Sequence, residues 1–183
     1  MKKYQIIYAD PPWEYNKRNR NDSFGGGVRT HYPVMDYNTL RTLPIPEISE
    51  DNSMIFMWMT FPYLPKQLEI MKNWMFTYKT IGFIWVKLYP KALTPCLSTG
   101  FYSKSNSEAC FIGTRGKVMK PAVDNISSVI ISPRGKHSEK PNEVRKRIEL
   151  MYPTQTKIEL FARQKTEGWD VWGNEVESDI ELL

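Results

Sequence analysis

The 183 residues suffice for one domain with a sizeable core and are too few for two of ordinary size. No apolar run approaches a membrane span, and the run after Met1-Lys2-Lys3 ends at Asp10, too early for a signal peptide, so a soluble, cytoplasmic protein is expected. The net charge of +5 is unevenly spread: residues 175–183 hold four acids and no base, leaving 25 basic against 16 acidic residues over 1–174, a balance that suits a polyanionic partner.

Cys96 and Cys110 form no CxxC pattern, and His31 and His137 lie far apart, so neither a metal site nor a disulfide framework is expected. Aromatic residues make up 13% of the chain, enough for ring-stacking surfaces as well as core.

The first element is Tyr4-Gln5-Ile6-Ile7-Tyr8-Ala9-Asp10-Pro11-Pro12-Trp13. It opens with the composition of a buried central strand, then stops at a carboxylate, two prolines and a large flat ring. In an open α/β sheet, ligands sit beyond the carboxyl ends of the strands, where Asp10 falls. Pro11 and Pro12 fix two φ angles and remove two N–H donors, so nearby carbonyls are expected to stay free as acceptors. Trp13 offers a π face to a base. The group suits alkylation of an exocyclic amine. Carboxylate and carbonyl take the two amino protons, the ring holds the base, and the nitrogen lone pair faces an electrophilic methyl. The same residues also read as a strand end, a stiff turn and a core tryptophan.

Residues 16–31 carry four basic residues, a triple glycine and no hydrophobic period. They read as a lid over substrate, with Lys17, Arg18, Arg20 or Arg29 on phosphates. Asp36 is placed to cap a short helix through Leu43, which Leu43-Pro44-Ile45-Pro46 breaks. Residues 53–60 form a continuous apolar run, hence a buried strand. Over 65–75 the spacing is helical, with Leu68, Met71, Trp74 and Met75 on the core face. Residues 80–87 read as a strand, 88–106 as a loop, and 108–114 and 126–132 as further strands, with a basic loop (Arg115, Lys117, Lys120) between them. A polar turn over 133–140 leads to a helix over 141–151, with Pro141 in its first turn and Val144, Ile148 and Met151 inward. Strands over 157–162 and 168–174 follow. Strands alternating with helices imply a doubly wound α/β sheet, one domain over 1–183 with an acidic tail at 175–183.

Six of these stretches occur in a familiar order: DPPW (10–13), IWVK (84–87), TGxY (99–102) with Glu108, HSEKPNE (137–143), KIELFAR (157–163) and GWDVWGN (168–174). The chain resembles, over nearly its whole length, the DPPW-type N6-adenine methyltransferases, which include the catalytic subunit of the eukaryotic mRNA adenosine methyltransferase and bacterial and phage relatives. The resemblance implies a Rossmann-like, S-adenosylmethionine-dependent enzyme with a mostly parallel sheet and permuted motif order. It implies that Asp10, Pro11, Pro12 and Trp13 hold the target amine, with Asp10 also at the cofactor. Lys140 is implied to meet the cofactor carboxylate, Arg163, Asn174 and Glu175 its ribose, and Glu159, Leu160 and Phe161 to line its pocket. Tyr32, Lys87, Tyr102 and Glu108 match positions near the base.

Two departures accompany the resemblance. Ala162-Arg163 stands where generic methyltransferases carry a glycine-rich loop, as this family does. The chain begins nine residues before Asp10, so contacts that longer relatives make to the cofactor's adenine from an upstream segment are expected either elsewhere or not at all. With no separate recognition domain visible, target choice falls to loops 16–31 and 88–106, to a partner subunit or to a second copy in a homodimer. DNA is the expected substrate and RNA the alternative. A cytosine-N4 enzyme, which usually has Ser before the diproline, and a catalytically silent nucleic-acid-binding subunit are the other readings.

Overall fold

The computed structural model describes residues 2–13, 35–98, 102–135 and 139–182. The lid read over 16–31 and Tyr32 lie outside them. Seven strands, β1 (Tyr4–Ala9), β2 (Ser49–Met59), β3 (Thr77–Leu88), β4 (Ser107–Arg115), β5 (Val129–Pro133), β6 (Lys157–Leu160) and β7 (Asp170–Trp172), form one sheet ordered β5-β3-β4-β2-β1-β6-β7. Only β4 runs antiparallel to its neighbours. The sheet is therefore mostly parallel, and six strands end on one edge, where β4 begins.

Alternation along the strands divides the core in two. Tyr4, Ile7 and Ala9 of β1 join Ile55, Met57 and Met59 of β2 in one cluster, beneath Leu40, Ile70, Met71 and Trp74. Ile6 and Tyr8 join Met54, Phe56, Trp58, Phe83, Trp85 and Cys110 in the other, against Val144 and Ile148. Strands buried on both faces explain the near-continuous apolar runs.

On the first face lie helices α1 (Tyr37–Thr42), α2 (Ile45–Ile48) and α3 (Leu64–Asn73), and on the second α4 (Asn142–Met151). As expected, Asp36 caps α1, its carboxylate accepting from the Asn38 and Thr39 amides at 2.8 and 3.1 Å. The prolines that read as a break instead open α2. Helix α3 stops short of Met75, which takes φ +65° and is largely exposed rather than core, while Trp74 is fully buried and donates to the Leu40 carbonyl at 2.8 Å. Pro141 precedes α4 as its cap residue and does not sit within the first turn.

Strand β3 begins at Thr77, before the expected Thr80, because its exposed first residues extend the ladder to β4 without adding apolar signal. Strand β5 begins at Val129, later than the expected 126, since the Ser127 hydroxyl accepts the Val129 amide and turns the chain there. Strand β6 ends at Leu160 because Phe161 adopts φ +61°, which no ladder accommodates. The acidic segment is docked rather than trailing: Asp179 accepts the Val171 amide at 2.9 Å, donates its own amide to the Val171 carbonyl at 2.8 Å and so covers the outer edge of β7, while Leu182 is buried.

Candidate active site

Asp10 lies immediately beyond β1, in step with Ile6 and Tyr8 and so on the face of the second core. Its Oδ2 accepts from Lys140 Nζ at 2.8 Å, across 130 residues of sequence. Lys140 also reaches Glu108 Oε2 at 3.3 Å, and Lys87 Nζ donates to Glu108 Oε1 at 3.0 Å. These four side chains form a row along the active edge, drawn from the ends of β1, β3 and β4 and the approach to α4. The two-residue period again places them: Lys87 follows Phe83 and Trp85, and Glu108 precedes Cys110, all facing the second core.

The row's electrostatics follow from partial burial. Burial raises the Asp10 carboxyl above its ordinary range, and Lys140 offsets only part of that. Burial also raises Glu108, but Lys140 and Lys87 together outweigh it and hold the carboxyl below its usual value. Burial depresses the Lys140 ammonium, yet Asp10 and Glu108 more than reverse this, so it stays charged. Beneath it lies the Trp58 ring, 5.5 Å from Nζ, whose indole N–H donates to Tyr8 Oη at 2.7 Å. Trp58 and Tyr8 went unnoticed in the sequence as site residues. Their signal was the register that puts Trp58 at the active-edge end of β2 on the same face as Asp10.

The diproline differs from expectation. The Pro11 carbonyl already accepts the Trp13 amide at 2.9 Å, and the Pro12 carbonyl accepts the Met35 amide at 3.1 Å. One lone pair of each remains. Trp13 itself is 9% exposed, belongs to the first core, and donates Nε1–H to the Trp58 carbonyl at 3.2 Å. It lines a cavity of about 70 Å³ with Tyr37 and Leu40, on the side of the sheet away from Asp10. The core reading of this ring describes it better than a base-stacking one.

At the other end of the edge, Phe161 turns the chain out of β6, and its ring meets Trp172 edge-on at 5.3 Å. The Ala162 amide donates to the Trp172 carbonyl at 3.0 Å. A Cβ on Gly173 would fall on the Ala162 carbonyl oxygen, so only glycine allows this close crossing. Arg163 Nε and Glu175 Oε1 are brought within 3.6 Å of each other, beside the exposed Asn174. The side chains of Glu159 and Leu160 are otherwise engaged. Both carboxylate oxygens of Glu159 accept from Nη1 of Arg145 in α4, each at 2.7 Å, and Leu160 is fully buried in the first core. What these two can offer a ligand is backbone. Arg145 was missed: of the three bases between Val144 and Ile148 it is the buried one, three residues before Ile148 and so on the same helix face. Tyr102 is 97% exposed.

These groups fit a zwitterionic nucleoside cofactor. Lys140 is a cation for a carboxylate, Asp10 and Glu108 are acceptors for an ammonium, and the Arg163–Glu175 pair matches a ribose diol. Comparison with known proteins decides the family. A family model described as MT-A70 matches residues 4–175. The chain belongs to the MT-A70 family. The Type II methyltransferase M.MunI of Mycoplasma sp is 35% identical across 99% of this chain and 82% of its own length. The putative N(6)-adenosine-methyltransferase MT-A70-like of Medicago truncatula is 30% identical across 99% of this chain. The N(6)-adenosine-methyltransferase catalytic subunit METTL3 of Homo sapiens is 26% identical across 99%. The chain spans 28% and 29% of those two relatives. As an MT-A70 protein it is an S-adenosylmethionine-dependent adenine methyltransferase, with the Rossmann-like fold that the sheet displays. Among the described residues, no helix is long and apolar enough to cross a membrane, and no His, Cys, Asp and Glu cluster is arranged to hold a metal.

Proposed function

We propose that this chain transfers a methyl group to the N6 amine of adenine in DNA, acting in the cytoplasm as a single domain. The observation that carries the reading is the 2.8 Å contact of Asp10 with Lys140, which unites the residue held for the amine with the residue held for the cofactor. DNA is favoured because the similarity to a Type II methyltransferase runs through 82% of that protein, against about a quarter of the N(6)-adenosine enzymes.

Adenine N6 is a poor nucleophile because its lone pair is delocalised into the ring. Asp10 accepts one amino proton and the remaining lone pair of the Pro11 carbonyl accepts the other, which favours tetrahedral nitrogen and stabilises the positive charge developing there. S-adenosylmethionine supplies the methyl group on a sulfonium. Lys140 is assigned to its carboxylate and Arg163, Asn174 and Glu175 to its ribose. Lys87 holds Glu108 ionised beside the base. Positioning accounts for much of the rate, on the order of 7–11 kcal/mol at best. No strong base is needed, because the proton leaves after transfer. In a duplex the adenine must first leave the stack.

The test is incubation with labelled cofactor and matched DNA and RNA oligonucleotides, followed by mass spectrometry of the nucleosides. N6-methyladenine in DNA is expected; label in RNA alone assigns the enzyme to RNA. Asp10→Ala is expected to reduce the rate by about 10²–10³-fold with an unchanged circular dichroism spectrum. Normal activity in that variant removes the assignment.

A further inference from the structure

The segment between β3 and β4 reads in sequence as a loop, but its described residues form a built limb on the active edge. The Cys96 amide donates to the Lys87 carbonyl at 2.7 Å and the Tyr89 amide to the Thr94 carbonyl at 2.8 Å. The Tyr89 hydroxyl accepts the Leu97 amide at 3.2 Å, and the Ser98 amide donates to the Ser105 carbonyl at 3.0 Å, joining the outgoing and returning chains. Cys96 is buried at the root. On this fixed scaffold Leu93 and Leu97 are 62% and 64% exposed. A folding account would turn such side chains inward. Here the backbone is held so as to present them.

The charge around the limb selects its partner. Residues 88–107 contain two lysines, Lys91 and Lys104, and no acid. The Arg134 guanidinium adds a third cation, 5.5 Å from the Tyr89 ring centre. A second copy meeting this limb about a two-fold axis would oppose lysine to lysine, whereas a phosphate backbone complements it.

Resting on the reading of adenine in DNA, we infer that the limb enters the duplex at the target. Leu97 fills the place in the base stack that the extruded adenine vacates, while Lys91 and Lys104 meet flanking phosphates. Leu97 is placed for this, since it follows directly on Cys96, whose amide is bonded to Lys87 of the Asp10 row. Unstacking a base step is unfavourable, and an apolar wedge offsets part of that by restoring contact to the exposed neighbours.

The experiment compares methylation of one mapped target adenine in duplex, in single strand, and in a duplex where that adenine is mispaired. Leu97→Ala is expected to lower the duplex rate about tenfold, keep the single-strand rate and recover most of the loss on the mispaired duplex. Leu97→Phe, which still fills the gap, is expected to keep the duplex rate. An equal loss on duplex and single strand, or no loss on duplex, overturns the inference. So does a Leu97→Ala change from dimer to monomer in sedimentation, which would give the limb to a second copy. If the wild type methylates neither DNA, the DNA reading itself fails and takes the wedge with it. A wild type active on both, with an unaffected Leu97→Ala variant, sinks the wedge alone.

Discussion

At the scale of single residues, the Asp10 row is a balance between burial and charge. Asp10 must be ionised to accept an amino proton, and burial already makes that harder, with Lys140 as the main counterweight. Removing that counterweight raises the Asp10 pKa further, so the ionised form is reached only at higher pH. Lys140→Gln, assayed at saturating cofactor, is therefore expected to shift the acid limb of the pH–rate profile upward. A shift downward would mean that Lys140 does not set the charge on Asp10. Glu108 has the opposite sign. Its folded-state pKa is depressed, so it contributes stability above its unfolded value, and that contribution is lost as pH falls through the folded one. Asp10 was legible as a strand-end carboxylate, whereas Lys87, Glu108 and Lys140 were named through the family resemblance; the structure brings the four side chains into one row. For Trp13 the sequence left two readings, base platform and core, because a tryptophan after a diproline looks the same whether its ring turns to the site or to the opposite core; the structure packs it in the first core.

At the scale of elements, the sequence reveals strands and helices wherever burial imposes a period, and fails where the backbone alone decides. The seven strands and three longer helices were found, but α2 was hidden by its prolines and the end of β6 by the left-handed Phe161. The crossing of β6 and β7 is of the second kind. Gly173 sits against the Ala162 backbone, which cannot yield as a side chain can. Gly173→Ala is expected to force the strands apart, with a stability loss of about 1–3 kcal/mol in chemical denaturation. Because Arg163 and Glu175 flank this crossing, cofactor affinity by titration calorimetry should fall with it. A stable variant with intact affinity would show that the two strand ends are not held in register by this contact.

At the scale of the whole molecule, the sheet separates charge across its width. On the β7 side the cations are matched: Lys2 pairs with Asp170 at 2.6 Å, Lys165 with Asp179 at 3.1 Å, and Arg163 with Glu175. The acidic segment that looked like a tail supplies two of the three partners, Asp179 and Glu175, and β7 itself supplies Asp170. Among the described residues, the β3–β5 side carries, beside the paired Lys87, Lys91, Lys104 and Arg134 about the limb, none of these last three in an ion pair. Such a gradient orients an approaching polyanion as well as attracting it. If these three cations each neutralise one phosphate, log K for duplex DNA should fall against log salt with a slope of about −2.7 or steeper. Fluorescence anisotropy across a salt series measures this. Lys91→Gln should flatten the slope by about 0.9 units, whereas Lys165→Gln, on the matched side, should leave it unchanged. Equal effects from the two would mean that DNA meets the molecule through its net charge alone, without preference for the edge that carries the chemistry.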